Sequence, residues 1–114
     1  MITETLTKAI TAHMAWTQTF AEAIASGAHN DVILKQAGSD HRCAFGQWLY
    51  GMDETAKASP AYRRVKDKHY SFHVEAGIVA RLLLEADREA ARKALEGAFA
   101  KASGELVQAL VDWK

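Results

Sequence analysis

Apolar residues recur at helical spacing along most of this chain. In the first segment they recur about once per helical turn, at Leu6, Ile10, Ala15, Trp16, Phe20 and Ile24. This spacing places apolar side chains on one face of an α-helix. Gly27 stands where a helix C-cap belongs, because glycine readily adopts the left-handed conformation. The pattern predicts a first long helix over residues 3–26.

Two further stretches carry long helical stripes. Ser59-Pro60 predicts a helix start, because serine caps a helix and proline suits its first position. The helix is predicted to run to about Ala86, with a stripe at Tyr62, Val65, His69, Phe72, His73, Ala76, Val79, Ala80 and Leu83. Asp87 is the predicted N-cap of a last helix, which continues to Trp113.

The segment between the first and second long helices holds shorter elements. Asn30 or Asp31 is predicted to cap a short helix through residues 32–34, and Cys43 opens a short helix over residues 43–50 that ends against Gly51. Because long amphipathic helices bury their stripes against one another, we predict an all-α fold. Its expected form is a four-helix bundle with a short extra helix that carries the cysteine.

Composition narrows the class of protein. The 114 residues fit one domain, residues 1–114, and 14 basic residues balance 14 acidic ones. The sequence has no basic stripe with interleaved aromatic residues, so its charge pattern gives no support to nucleic-acid binding. The apolar runs are far shorter than the roughly 20 residues that span a bilayer, and the first residues do not resemble a signal peptide. We therefore expect a cytoplasmic protein in which this domain makes no membrane contact.

The candidate chemistry starts from Cys43, the single cysteine of the chain. One cysteine cannot form an internal disulfide, so in a reducing compartment it stays available as a metal ligand or redox-sensitive thiol. His69 and His73 are four residues apart, which places both rings on one helix face. Together with His13 they supply one thiolate and three imidazoles, the complement of a closed tetrahedral Zn²⁺ site.

Helix geometry supports convergence of the three imidazoles. At about 1.5 Å per residue, His13 lies about 20 Å from the end of its helix, and His69 and His73 lie about 13 and 20 Å from the start of theirs. If these helices are antiparallel, the three rings lie at one level of the bundle. The sequence therefore predicts His13, Cys43, His69 and His73 as zinc ligands.

Each of these residues also has a plainer interpretation. A lone histidine on an apolar face is more often a hydrogen-bonded core residue, and a lone cysteine is more often a small buried side chain. His41 is the one alternative ligand, because it neighbours Cys43; otherwise we expect His41 and His29 to be solvated. The nearby aromatic residues are interpreted as core packing that also shields the metal from water, namely Trp16, Phe45, Trp48 and Phe72.

In order and spacing these residues resemble the CZB family, the chemoreceptor zinc-binding domains of bacterial signalling proteins. The resemblance runs through His13-x-x-Trp16, Cys43-x-Phe45-Gly46-x-Trp48 and His69-x-x-x-His73. It implies a zinc-responsive regulatory module in chemotaxis or cyclic-di-GMP control. It also implies a homodimer that acts on a chemoreceptor signalling segment or a diguanylate cyclase domain, in cis or in trans.

Regulation is expected rather than catalysis, because four protein ligands leave zinc no open position for substrate. The chain is therefore predicted not to be an enzyme, and to respond to zinc occupancy or to oxidation of Cys43. The main alternative is a purely structural dimerisation module in which zinc cross-links the helices and has no sensing role. A di-iron bundle is disfavoured because acidic residues such as Glu22 and Glu75 form no Glu-x-x-His sets. A cysteine hydrolase would need an oriented base and an oxyanion hole, which the sequence does not display.

Overall fold

Helices make up nearly all of the computed structural model, which describes residues 2–27 and 30–114. No strand occurs in that part of the chain. The helices are α1 (Ile2–Ser26), α2 (Asp31–Gln36), α3 (Ala44–Tyr50), α4 (Glu54–Lys57), α5 (Pro60–Leu84), α6 (Arg88–Ala94) and α7 (Ala100–Trp113). The prediction of an all-α helical bundle is confirmed. His29, which was expected to be solvated, lies outside the described residues.

The helix ends carry the signals that the sequence predicted. Gly27 follows α1 with a φ of +77°, the left-handed conformation that glycine tolerates. The Ser59 hydroxyl accepts a hydrogen bond from the Tyr62 amide at 3.0 Å and so caps α5, whose first residue is Pro60. Asn30, rather than Asp31, caps α2. Local capping chemistry therefore sets where most helices begin.

The long helix α5 lies at the centre of the bundle and packs against α1, α6 and α7. The short helices α2 and α4 also contact α5. The largest fully buried apolar side chains come from both long and short helices: Leu6, Phe20, Leu34, Leu49, Val65, Phe72, Leu83, Phe99, Leu106 and Leu110. One apolar core thus joins the elements that carry the predicted zinc ligands.

The connection between α1 and α3 runs against α5. Leu34 and Ala37 are buried, and the backbones of Gly38 and Gly77 touch. A Cβ atom on Gly77 would lie 3.0 Å from the Gly38 Cα atom. Because neither residue has a side chain, this segment approaches α5 closely enough for its backbone to reach the interior of the bundle.

The last predicted helix is interrupted. Leu95–Phe99 forms a π-helical turn with a kink at Gly97, whose φ and ψ are −102° and −105°. Glycine permits this departure from helical geometry. The turn divides the predicted helix into α6 and α7, which the continuous apolar stripe did not indicate. No helix in the described ranges combines the length and apolar character needed to cross a membrane.

Candidate metal centre

The four predicted ligands meet in the interior of the bundle. His13 comes from α1, Cys43 is the N-cap residue of α3, and His69 and His73 come from α5. The Nε2 atom of His69 lies 3.2 Å from that of His13 and 3.1 Å from that of His73. The Cys43 Sγ atom lies 3.5 Å from His13 Nε2. One atom from each residue falls within 4.8 Å of all the others, so the group could hold a metal ion.

Backbone carbonyl groups fix the proton positions on two of the imidazoles. His13 Nδ1 lies 2.6 Å from the Ala9 carbonyl oxygen, and His73 Nδ1 lies 2.7 Å from that of Ala37. A carbonyl oxygen only accepts, so each Nδ1–H donates and each Nε2 carries a lone pair. Both lone pairs point at His69 Nε2, which has at most one proton to share. A cation at the centre satisfies all three nitrogens at once.

The spacing of these atoms fits zinc. Zn–N bonds of about 2.0–2.1 Å and a Zn–S bond of about 2.3 Å give tetrahedral edges of about 3.3 Å between nitrogens and about 3.6 Å between nitrogen and sulfur. Three of the six distances between these donors match, at 3.1–3.2 Å between nitrogens and 3.5 Å between nitrogen and sulfur, and all six are within 4.8 Å. Three imidazoles and one thiolate are also a donor set that zinc prefers over hard cations.

Burial keeps the imidazoles in the form that binds metals. His13, His69 and His73 are at most 2 % exposed. Burial lowers the pKa of His13 to about 4 and also lowers the pKa of His69 and His73 below the usual value of 6.5. At neutral pH the rings are therefore uncharged and their Nε2 lone pairs are available. Cys43 differs from them, because it is only partly buried.

Aromatic rings form the inner wall of the centre. The His13 ring meets those of Phe45 and Phe72 edge-on, at centroid distances of 5.9 Å and 5.0 Å. Trp16, which we predicted to lie near the metal, packs on Phe20 with a distance of 5.3 Å between the ring centroids. The apolar wall excludes water and so strengthens electrostatic interactions within the site.

Several partners of the site could not be identified from sequence. The carbonyl groups of Ala9 and Ala37 orient two imidazoles, and a side chain cannot reveal where a backbone carbonyl will lie. His69 Nδ1 has no hydrogen-bond partner among the described residues. The alternative ligand, His41, has a side chain that is 78 % exposed and is not part of the cluster.

Gly46 is the residue whose replacement we expect to distort the centre most directly. A Cβ atom there would lie 1.8 Å from the Asp40 carbonyl oxygen and 3.2 Å from His69 Cε1. The first of these is a backbone atom that cannot rotate away. We predict that Gly46→Ala destabilises the protein by about 3 kcal/mol, measured by denaturant unfolding.

Gly104→Ala is the matched control for Gly46→Ala. A Cβ atom on Gly104 would meet nothing within 4 Å. Because alanine is the better helix former, this change is expected to stabilise the protein by about 0.5–1 kcal/mol. Equal effects of the two substitutions would contradict the close packing assigned to Gly46.

Comparison with known families agrees with this geometry. The profile of the CZB family, described as the chemoreceptor zinc-binding domain, matches residues 13–80, more than half of the chain. The matched segment begins at His13 and includes Cys43, His69 and His73. Comparisons with curated proteins and with solved structures find no match. Zinc is thus the metal that this cluster is positioned to hold, and the chain belongs to the chemoreceptor zinc-binding domain family.

Proposed function

We propose that residues 1–114 form one regulatory domain whose signal is the state of a zinc site made by His13, Cys43, His69 and His73. The observation that carries the proposal is the convergence of four donor atoms within 4.8 Å of one another. These donors come from α1, α3 and α5, which are far apart in the sequence. A bound zinc ion would cross-link the three elements at one point.

The donor set favours regulation over catalysis. Four protein ligands complete a tetrahedron, so zinc held this way offers no open position to a substrate. The family is likewise a zinc-binding signalling domain. We therefore propose that the domain has no enzymatic activity of its own and that zinc acts by constraining how the helices pack.

The coupling from the site to the rest of the bundle runs through α3. Phe45 follows Cys43 at the start of this helix, and its ring lies 5.2 Å from that of His69 and 5.5 Å from that of Trp48. Trp48 in turn lies 6.0 Å from Trp113 near the end of α7. Loss of the Cys43 contact would free the start of α3 and, through this row of rings, change the packing of the last helix.

Cys43 is also the ligand best placed to receive a chemical signal. A cavity of about 270 Å³ between α1 and α3 reaches both Cys43 and His13. Its other lining residues are mainly apolar: Thr5, Lys8, Ala9, Ala12, Ala44, Phe45 and Trp48. The other three proposed ligands are buried. A small uncharged oxidant could therefore reach the sulfur before it reaches the histidines.

The proposed oxidation is a two-electron step. Hypochlorous acid transfers its oxygen to the Cys43 thiolate, which becomes sulfenic acid, and chloride leaves. The sulfur loses its negative charge and becomes a weaker ligand. We predict that one equivalent of hypochlorous acid releases zinc from the protein and adds one oxygen to Cys43, measured with a chromogenic chelator and by mass spectrometry.

Filling the cavity tests whether it is the route to Cys43. Ala12→Leu extends a side chain into this space, and Ala15→Leu is the control because Ala15 is exposed on the same helix but does not line the cavity. We expect slower oxidation and zinc release only in Ala12→Leu. Zinc release with an unmodified Cys43 would reject the redox input and leave zinc occupancy itself as the signal.

A second copy of this chain and a signalling domain are the proposed partners. We propose a cytoplasmic homodimer that acts on a chemoreceptor signalling segment or a diguanylate cyclase domain, in cis or in trans. The surface that we propose for this contact is a groove of about 500 Å³ between α1 and α7, which includes Met14, Phe99 and Val107. Light scattering at micromolar concentration tests this, and a monomer would exclude it.

A further inference from the structure

A buried carboxylate lies just outside the proposed zinc site. Asp40 precedes α3 and is 7 % exposed, although aspartate is rarely buried without a partner of opposite charge. His41 Nε2 lies 3.8 Å from Asp40 Oδ1, on a side chain that is 78 % exposed. Among the described residues no lysine or arginine pairs with this carboxylate. Within the described residues this carboxylate therefore has no partner that carries a permanent positive charge.

The carboxylate is held in place by Tyr50. The Tyr50 hydroxyl donates a short hydrogen bond to Asp40 Oδ2. Burial and this carboxylate raise the pKa of Tyr50 well above its usual value, so the hydroxyl keeps its proton and continues to donate. Tyr50 is the last residue of α3, and Cys43 caps the first turn of the same helix. Asp40 is thus fixed against the helix that carries the proposed sulfur ligand.

The backbone of Asp40 lies close to the proposed histidine ligands, and its charge acts on one of them. Its backbone carbonyl packs against Gly46, at the point where Gly46 also faces His69 Cε1. Its negative charge opposes the burial that lowers the pKa of His73. The Asp40 side chain is not one of the four groups that converge on the metal position. Asp40 is therefore a neighbour of the proposed ligands and not one of them.

Charge balance explains why a carboxylate would be placed there. Zn²⁺ held by one thiolate and three neutral imidazoles leaves one net positive charge in a buried, apolar-walled site. A buried net charge is costly unless it is paired. We propose that Asp40, anchored by Tyr50, is the positioning residue that supplies this compensating negative charge to the zinc site. The proposal rests on the ligand set given under Proposed function.

Asp40→Asn is the direct test, because asparagine keeps the shape and can still accept the Tyr50 hydrogen bond. We expect zinc affinity to fall about 10- to 100-fold, the range found for partners that support metal ligands. The zinc-free protein should melt at a higher temperature than the wild type, since an unpaired buried charge has been removed. These opposite signs are the signature of charge compensation, because a merely structural role would lower the melting temperature of the zinc-free protein and leave zinc affinity unchanged.

Two further variants complete the test. Tyr50→Phe keeps the charge but removes its anchor, so zinc affinity should fall less than in Asp40→Asn. Asp67→Asn is the matched control: it removes the same charge from an exposed position on α5, and zinc affinity should not change. Affinities are measured by competition with a chromogenic chelator, and melting by circular dichroism.

Two results would overturn the proposal in distinguishable ways. If Asp40→Asn lowers the melting temperature of the zinc-free protein and leaves zinc affinity unchanged, Asp40 has only a structural role. If Asp67→Asn weakens zinc binding as much as Asp40→Asn does, the overall charge of the protein, and not this carboxylate, determines the zinc affinity. Failure of the wild type to bind one zinc per chain would instead reject the proposed ligand set itself.

Discussion

Replacing Cys43 by alanine is expected to lower zinc affinity by about 100- to 1,000-fold. An apparent binding free energy of about 10–16 kcal/mol, typical of structural zinc, is shared among four ligands, so one ligand contributes about 2.5–4 kcal/mol. The variant should still fold, because the Cys43 side chain makes no capping hydrogen bond to α3 and is only partly buried. Zinc affinity is measured by chelator competition, and zinc content by elemental analysis.

His41→Ala is the matched control for this substitution. His41 lies two residues from Cys43 and can bind metal in principle, but its side chain is 78 % exposed and lies outside the cluster. Its loss should leave zinc content and affinity unchanged. A Cys43→Ala protein with wild-type affinity, or a His41→Ala protein that loses zinc, would show that the ligand set is wrong.

Removal of zinc with a chelator is expected to lower the melting temperature by about 16 °C. At free zinc 1,000 times the dissociation constant, binding adds about 4 kcal/mol to stability, and each kcal/mol shifts the midpoint by about 4 °C in a domain of this size. The physical reason is that α1, α3 and α5 lose their common cross-link, while the lone pairs of His13 and His73 are left facing His69 Nε2. Calorimetry with and without chelator measures the shift.

Helix content should change little in the same experiment. The apolar core of the bundle extends well beyond the site, for example to Leu6, Leu83 and Leu110. Adding zinc back should restore the midpoint, and magnesium should not, because it prefers oxygen ligands. An unchanged midpoint after verified zinc loss would contradict a cross-linking role.

The size of that stability change also separates sensing from a purely structural role. A site whose zinc dissociation constant lies far below the free zinc concentration in its surroundings stays occupied and cannot report changes in zinc. In that case oxidation of Cys43 is the remaining input, and its rate depends on access through the cavity beside Ala12. The measured affinity and the oxidation rate together decide which input operates.

The helices and their boundaries could largely be predicted from the sequence, because they depend on local chemistry. The spacing of apolar residues, the Ser59 cap and Gly27 determine where long helices begin and end. The kink at Gly97 was not predicted. A helical apolar pattern continues through it, and glycine permits both a helix and a departure from one.

The residue types and spacing of the metal centre were also readable from the sequence, because a helix places His69 and His73 on one face whatever surrounds them. The convergence of His13 and Cys43 with this pair was predicted only on the condition that the helices are antiparallel, and the packing of elements distant in the chain decided it. The tertiary structure alone decided which carbonyl groups orient the imidazoles and that Asp40 is buried beside the site. Such backbone contacts and burial follow from the close approach of whole helices, which no local pattern encodes.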